Sequence, residues 1–206
     1  TPLASSSGGG TKTASVSGLL DDGSGTPARF VQPDRVEPIP YLVDADSLPA
    51  GITLTQALNA VSSALAAWTA VTSLKYTFEG VQSFGVAAPT ISTNDGRLRL
   101  QLHDNYDFIG GSTTLGVGGR SYRTPLLATA GWGTGGNVAG NEFHQTRCGY
   151  VVLKHTNTAM QVLSTFTEVL CHEIGHTIGL AHSSVDPAET NTVLNEAMMY
   201  YAAHGG

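Results

Sequence analysis

The sequence predicts an α+β domain in which helices pack on a mixed, twisted β-sheet. Residues 38–43 are typical of a first strand, and residues 74–78 and 98–102 alternate as half-buried strands do. A further apolar strand at residues 150–153 leads into a second long helix, which we expect to begin near Thr158. The order strand, helix, strands, helix indicates the α+β class.

The first helix is predicted by its capping residues and by its apolar period. Thr53 and Gln56 have the spacing of a capping box, in which two side chains satisfy backbone N–H groups at the helix start. The apolar residues that follow step by four and three positions, which places them on one helical face: Leu54, Leu58, Val61, Leu65 and Trp68. We interpret this face as packed against the core.

The composition of the N-terminal stretch differs from that of the rest of the chain. Residues 1–35 are predicted to be a flexible leader or linker, because their first thirty positions are rich in Ser, Gly and Thr. Residues 36–206 are enough for one domain with its own core. Since the chain begins at Thr1 and not at Met, we interpret it as a processed or expressed piece of a secreted precursor.

The charge balance excludes several classes of partner. The chain of 206 residues has 10 Lys and Arg against 16 Asp and Glu, a net charge of −6. Negative charge disfavours nucleic acid and anionic membranes as partners. The sequence has no apolar run of the length that a membrane-spanning helix requires.

The chemistry of the chain is concentrated in residues 172–182, His-Glu-Ile-Gly-His-Thr-Ile-Gly-Leu-Ala-His. His172 and His176 are four positions apart, so on a helix they lie roughly 40° apart around the axis and one turn apart along it. Both imidazoles can therefore reach one metal ion. Glu173 follows the first histidine and projects beside the metal, where a carboxylate can take a proton from a water molecule.

His182 could not share this metal if the helix continued, because it would lie on the far side of the helix. Glycine adopts positive φ at little steric cost, so we predict that the helix ends close to Gly179 and that the chain turns His182 back as a third ligand. Three protein ligands leave one position of a zinc ion open, which is typical of a catalytic site. The sequence thus predicts Zn²⁺ on His172, His176 and His182.

Two plainer interpretations of these residues exist. Single histidines on a helix are often satisfied core or surface side chains, but three histidines, a glutamate and a glycine in register disfavour that interpretation. The second interpretation is a metal site that has lost its catalytic function, and the presence of Glu173 argues against it.

Residues 172–182 resemble the extended motif of the metzincin clan of metallopeptidases, H-E-x-x-H-x-x-G-x-x-H followed by a Met-turn. Residues 197–201, Ala-Met-Met-Tyr-Tyr, resemble the A-L-M-Y-P Met-turn of matrixins, which makes Met199 the Met-turn residue. Residues 125–131 resemble the matrixin rim strand, G-L-L-A-H-A-F, to which a substrate adds as an extra antiparallel strand.

The resemblance implies a fold and an activity. Residues 36–206 are expected to form a metzincin-like (zincin) catalytic domain with a mixed twisted sheet, a backing helix and an active-site helix. The implied function is that of a secreted zinc-dependent endopeptidase, with Glu173 as the general base and a peptide or protein as the substrate. We expect one catalytic Zn²⁺ and a monomeric chain.

Further residues acquire candidate roles from the same resemblance. In astacin- and serralysin-like relatives a tyrosine two residues after the Met-turn methionine joins the zinc or stabilises the oxyanion, so Tyr201 is a candidate catalytic residue. A tyrosine packed at the base of a loop is the alternative. In the family, the region after the third histidine lines the pocket for the side chain beyond the scissile bond, and the candidates for its wall here are Val193, Leu194 and Asn195.

Additional metal ions are a separate expectation. Matrixins hold a structural zinc and calcium ions near the rim strand, and Ca²⁺ is therefore a candidate cofactor. Thr129 and the Glu142-Phe143-His144 triplet depart from the matrixin pattern, which argues against a structural zinc of that kind. Scattered polar residues could form another metal site, or could equally be surface loops: His103, Asp104, Asp107, His144 and His155.

The two cysteines, Cys148 and Cys171, are predicted to form a disulfide. Such a bond would close a loop of about two dozen residues, would stabilise the fold by about 3 kcal/mol and would suit an oxidising compartment. Two separate buried thiols are the alternative.

A rival function from another class is a non-catalytic module that binds peptides or proteins around a zinc scaffold. Glu173 disfavours this function. A substrate cleft that is blocked by residues 1–30 or by Tyr201 would favour it.

Overall fold

The structure, a computed structural model, describes residues 4–5, 18–20, 25–123 and 135–204. The described helices are α1 (Leu54–Val71), α2 (Leu163–Thr177) and α3 (Thr192–Asn195), and short 3-10 turns lie at Gln32–Arg35, Ala88–Thr90 and Thr158–Gln161. The described strands are β1 (Ala4–Ser5), β2 (Ala28–Arg29), β3 (Ile39–Asp44), β4 (Tyr76–Val81), β5 (Leu98–Gln101), β6 (Gly116–Arg123), β7 (Asn137–Val138), β8 (Asn141–Glu142) and β9 (His144–Leu153). No helix in the described ranges combines the length and apolar character that a membrane crossing requires.

One sheet organises these elements. Its strands lie in the order β1, β6, β9, β5, β3, β4, and β2 also pairs with β9. All of these pairs are parallel except β6 with β9, which is antiparallel. The described residues thus form a mixed α/β domain with a mostly parallel sheet and few helices, which is compatible with the predicted α+β class.

The predicted start of α1 is confirmed, but its predicted buried face is wrong in part. Thr53 caps the helix and forms the reciprocal capping box with Gln56. Leu54 is 46% exposed, however, because the buried stripe is centred on small residues. The stripe consists of Ala57, Ala60, Val61, Ala64 and Leu65. These alanines let α1 pack closely beside α2. The helix α2 carries His172 and His176.

The main core lies between the sheet and the two long helices. Strand side chains alternate between the two faces, and on β9 the odd-numbered Val151 and Leu153 join the core under the helices. The even-numbered Tyr150 and Val152 face the opposite side and join a smaller cluster. Side chains at odd-numbered positions of this part of β9 therefore face α2, and those at even-numbered positions face away from it.

The predicted disulfide is absent, because the two cysteine side chains lie on different sides of the sheet. Cys148 and Cys171 are both free and buried. Cys148 occupies an even position on β9, and its thiol donates to the Ile91 carbonyl. Cys171 lies on α2, and its thiol donates weakly to the Ala64 carbonyl of α1 at 3.9 Å. The two side chains thus lie on opposite sides of the sheet.

The predicted leader extends too far toward the C-terminus. β2 pairs with the start of β9, so that Ala28 lies beside His144. Phe30 is only 3% exposed and belongs to the main core. Residues 25–35 are therefore part of the domain. Residues 1–3, 6–17 and 21–24 lie outside the described residues, where the leader stays a prediction.

A close approach between β6 and α2 depends on glycines. A Cβ on Gly118 would lie 2.8 Å from the Glu173 carbonyl carbon and 2.9 Å from its Cα. A Cβ on Gly116 would lie 2.8 Å from the Glu173 Cγ. Only a strand without side chains at these positions can lie this close to the helix.

We predict that Gly118→Ala destabilises the fold by about 1–3 kcal/mol or more, because the added methyl group meets backbone atoms that cannot rotate away. Gly110→Ala is the matched control, since a Cβ there meets nothing within 4 Å, and it should change stability by less than about 0.5 kcal/mol. Urea denaturation of both variants tests the difference. Equal midpoints for the two variants would contradict the close approach.

Candidate metal centre

The first two histidines of the motif converge as their spacing predicts. His172 and His176 lie on successive turns of α2, and neither is exposed to solvent. Their Nε2 atoms are 3.0 Å apart. Their ring planes are nearly perpendicular, with centroids 4.7 Å apart. Both Nε2 atoms thus point toward one small volume.

The predicted helix end near Gly179 is confirmed. α2 ends at Thr177, and Gly179 has φ of 107°. The Gly179 N–H donates to the His176 carbonyl at 3.1 Å, and the Leu180 N–H donates to the Gly175 carbonyl at 3.0 Å. These two bonds have the pattern of a Schellman motif, which requires a left-handed residue at the position of Gly179. The motif turns the chain sharply out of the helix axis.

The turn brings His182 to the other two histidines. Its ring centroid lies 5.2 Å from that of His172 and 4.9 Å from that of His176. One ring nitrogen from each of the three residues lies within 4.8 Å of the other two. The structure therefore places the three predicted ligands together as a possible metal-binding group.

Hydrogen bonds at the far side of two rings fix their tautomers. The His172 Nδ1 lies 2.8 Å from the Met198 carbonyl oxygen, and the His176 Nδ1 lies 2.8 Å from the Leu180 carbonyl oxygen. A carbonyl can only accept, so each Nδ1 donates its proton. Each Nε2 of a neutral ring then presents a lone pair, which is the form that binds metals.

The neutral form of His172 is favoured by its surroundings. Burial, with smaller contributions from the nearby His182 and His204, lowers the pKa of His172 to about 3, against the raising effect of its hydrogen bond to the Met198 carbonyl. When both rings are neutral, their two lone pairs face each other across 3.0 Å in a buried site. Such an arrangement is repulsive unless a cation lies between the rings, so the site fits a metal ion bound by nitrogen ligands.

Glu173 is fully buried beside this group. It projects from α2 toward β6, where its Cγ and Oε1 would contact a Cβ on Gly116. A carboxylate without access to solvent is costly unless nearby positive charge or hydrogen bonds compensate it. A cation held by the adjacent histidines would provide that charge.

Met199, the predicted Met-turn residue, lies directly against the ligand helix. It is 7% exposed. Its Sδ contacts the position that a Cβ on Gly175 would occupy, and the Trp68 ring lies 2.9 Å from the same position. The neighbouring Met198 supplies the carbonyl that orients His172. The turn thus supports the ligand helix by packing and by one hydrogen bond.

Tyr201 and the expected pocket wall lie in the segment that follows the third histidine. Tyr201 is half-buried, with its ring 4.9 Å from that of Tyr200, and its backbone N–H donates to the Ser184 carbonyl at 3.3 Å. Val193 is 76% exposed on α3. The Leu194 carbonyl accepts a hydrogen bond from Ser183 Oγ at 2.8 Å. The roles of Tyr201 and of the wall residues stay predictions.

The rim strand predicted at residues 125–131 lies outside the described residues. Among the described strands, β6 contacts Glu173. β6 is eight residues long. The face of β6 that packs against α2 carries Gly116, Gly118 and Arg120.

The residues considered for a second metal do not gather as one group. His103 instead groups with Asp44 and Asp46, with ligand atoms within 4.8 Å of one another. The Asp44 carboxylate is already bonded to His103 Nε2 at 2.9 Å and to the Phe84 N–H at 2.9 Å. The other four candidates belong to no group of three possible ligands among the described residues; they are Asp104, Asp107, His144 and His155. A second metal stays a prediction.

Two residues outside the motif of residues 172–182 form hydrogen bonds with the ligand helix, and the sequence analysis did not identify them. Arg120 is buried on β6 and donates to the His176 carbonyl at 3.0 Å. His204 bonds Glu168 of α2 at 2.7 Å and the Asn195 carbonyl at 2.7 Å. The run of glycines at 116, 118 and 119 before Arg120 was a usable signal, since glycine inside a strand often marks a close backbone approach.

No protein-family model matches the chain, and no curated protein matches it either. The interpretation of the centre depends on its own residues and their geometry.

We predict that His204 stabilises the fold more at low pH than at high pH. The Asn195 carbonyl and the Glu168 carboxylate raise the pKa of His204 above its usual 6.5. A raised pKa gives stability that is present below the unfolded value and is lost as pH rises through the folded value. Since the side chain is exposed, the contribution should be below about 1 kcal/mol.

Thermal unfolding of wild type and His204→Ala at pH 5.5 and 8.5 checks this sign. The difference in Tm should be larger at pH 5.5, and Glu168→Gln should reduce its pH dependence. A difference that grows with pH would contradict the assignment.

Proposed function

We propose that this chain is a secreted zinc-dependent endopeptidase of the metzincin clan, most similar to the matrixins. The convergence of His172, His176 and His182 beside the buried Glu173 is the observation that carries the proposal. The mixed sheet, the backing helix α1, the ligand helix α2 and the position of Met199 are the features that the resemblance implies, and they support it.

Zinc is the metal that suits these ligands best. Three imidazole nitrogens are a known catalytic ligand set for Zn²⁺, and they leave a fourth position for substrate and water. When bound, the ion would polarise a substrate carbonyl and lower the pKa of a water molecule to about 7. The Nδ1 bonds of His172 and His176 to carbonyl oxygens keep both rings in the orientation that binding needs.

Glu173 is the general base of the proposed reaction. Its carboxylate takes a proton from the water that attacks the carbonyl carbon of the scissile peptide. It then gives that proton to the amine nitrogen as the C–N bond breaks, so the carboxylate is regenerated. Burial strengthens this role, because interactions with developing charge are larger where water is excluded. Tyr201 remains the candidate for stabilising the oxyanion.

The route of the substrate is suggested by the edge of the sheet. β6 is the strand nearest to Glu173, and extended peptides commonly bind by adding a strand to such an edge. In this chain the outer edge of β6 already pairs in parallel with β1, with Ala4 opposite Val117 and Ser5 opposite Gly118. A substrate strand on this edge would have to displace β1.

That pairing favours a second candidate function. If β1 keeps the edge occupied, an extended peptide could not add to it for cleavage, and the chain would serve as a zinc-containing module that binds peptides or proteins away from that edge. The two functions differ in turnover and in the effect of deleting residues 1–17, which removes β1.

We predict that Glu173→Gln retains zinc and the fold but lowers kcat by roughly 10²–10⁴-fold, because general-base assistance of this size is lost. His176→Ala should lose both the zinc and the activity. Hydrolysis of a fluorogenic peptide mixture, with zinc content measured on the same samples, tests both variants. Glu142→Gln is the matched control, since Glu142 lies exposed on β8.

The deletion of residues 1–17 separates the two functions. Chelator-sensitive cleavage by wild type or by this deletion variant, absent in Glu173→Gln, is the result that the peptidase proposal predicts. Zinc-loaded wild type and deletion variant that bind the peptides without cleaving them would contradict the peptidase and support the binding module.

A further inference from the structure

A short N-terminal segment is hydrogen-bonded to the chain that carries the third histidine. Residues 18–20 lie antiparallel to residues 179–181, with Leu19 opposite Leu180. The Leu20 N–H donates to the Gly179 carbonyl at 2.7 Å, and the Ala181 N–H donates to the Gly18 carbonyl at 2.8 Å. We call these stretches the 18–20 segment and the 179–181 link.

The 179–181 link controls two of the three ligands. It begins at the glycine that ends α2, and Ala181 directly precedes His182. Its Leu180 carbonyl accepts the hydrogen bond from His176 Nδ1 at 2.8 Å. A displacement of the link would therefore move His182 and release the orientation of His176 together.

Arg120 joins the 18–20 segment to the ligand helix. Its Nη1 donates to the His176 carbonyl at 3.0 Å, and its Nη2 donates to the Leu20 carbonyl at 2.7 Å. The guanidinium is rigid and planar, so a single side chain fixes the distance between these carbonyls. Its positive charge also suits the C-terminal end of α2, where carbonyl groups carry partial negative charge.

The 18–20 segment is anchored by burial as well as by hydrogen bonds. Leu20 is only 6% exposed, although it belongs to the stretch that the sequence predicted to be flexible. Arg120 is 9% exposed. Hydrogen bonds in such a setting are costly to break, because the groups left behind lose their partners without gaining water.

We propose that the 18–20 segment and Arg120 are positioning elements of the metal centre, which hold the 179–181 link and so raise the affinity for zinc. This proposal rests on the proposed zinc site. The coupling is reciprocal, since a segment that strengthens zinc binding must itself be held more firmly when zinc is bound. Loss of residues that hold metal ligands in position weakens metal binding about 10- to 100-fold.

A pair of deletions isolates the 18–20 segment. Deletion of residues 1–17 removes β1 and keeps the segment, whereas deletion of residues 1–20 removes both. We expect the first variant to bind zinc as wild type does and the second to bind it about 10- to 100-fold more weakly. The zinc Kd is measured by competition with a chromophoric chelator, on protein whose fold is checked by circular dichroism.

Two measurements on the full-length chain keep the test decisive if the longer deletion does not fold. Hydrogen exchange at the Leu20 and Ala181 amides should slow when zinc is added to wild type. Arg120→Lys keeps the charge but replaces the two guanidinium nitrogens, which each bond one carbonyl, by a single nitrogen, so it should raise the zinc Kd and speed exchange at Leu20. Arg97→Lys is the control, because Arg97 pairs with the exposed Glu79.

The outcomes separate this proposal from the proposed function. Equal zinc affinity of wild type and the deletion of residues 1–20, or exchange at Leu20 and Ala181 that zinc does not change, would overturn the positioning role alone. Wild type that binds no zinc would contradict the proposed function and this proposal together.

Discussion

The convergence of three imidazole nitrogens in a buried volume is the constraint on which the rest of the structure depends. His172 and His176 each donate from Nδ1 to a backbone carbonyl, so in the neutral rings the Nε2 lone pairs face each other at 3.0 Å. This arrangement is unfavourable in isolation and becomes favourable around a cation. The Schellman turn at Gly179 adds His182 to the same volume.

Backbone packing around the ligand helix follows from that constraint. β6 approaches α2 through Gly116 and Gly118, and Met199 and Trp68 pack where Gly175 has no side chain. The helix α1, which carries Trp68, also contributes a stripe of alanines. These small residues keep α2 close to its neighbours. The carbonyls that orient the histidine rings belong to Met198 and Leu180, in the chain that follows the helix.

Local signals in the sequence predicted the parts of the structure that local physics determines. The capping box at Thr53 and the helix end near Gly179 depend on neighbouring residues alone, and both are confirmed. The grouping of the three histidines follows from helix geometry plus that turn. Zinc, catalysis and the metzincin fold remain proposals that this geometry supports.

Features that depend on distant pairing could not be predicted in the same way. The disulfide fails because Cys148 occupies an even position of β9, and a sequence does not reveal which face of a sheet an even position takes. Residues 25–35 look like a linker by composition, yet Phe30 fills the core. The glycines before Arg120 signal a close backbone approach, but the role of Arg120 itself becomes visible only from its two carbonyl partners, which are far apart in sequence.

A crystal structure of the zinc-loaded protein, with anomalous diffraction recorded at the zinc absorption edge, tests the central claim most directly. The account predicts one strong peak at about 2.0–2.1 Å from one ring nitrogen each of His172, His176 and His182. A peak at Asp44, Asp46 and His103 with none at the three motif histidines, or no peak in zinc-treated crystals, would contradict it.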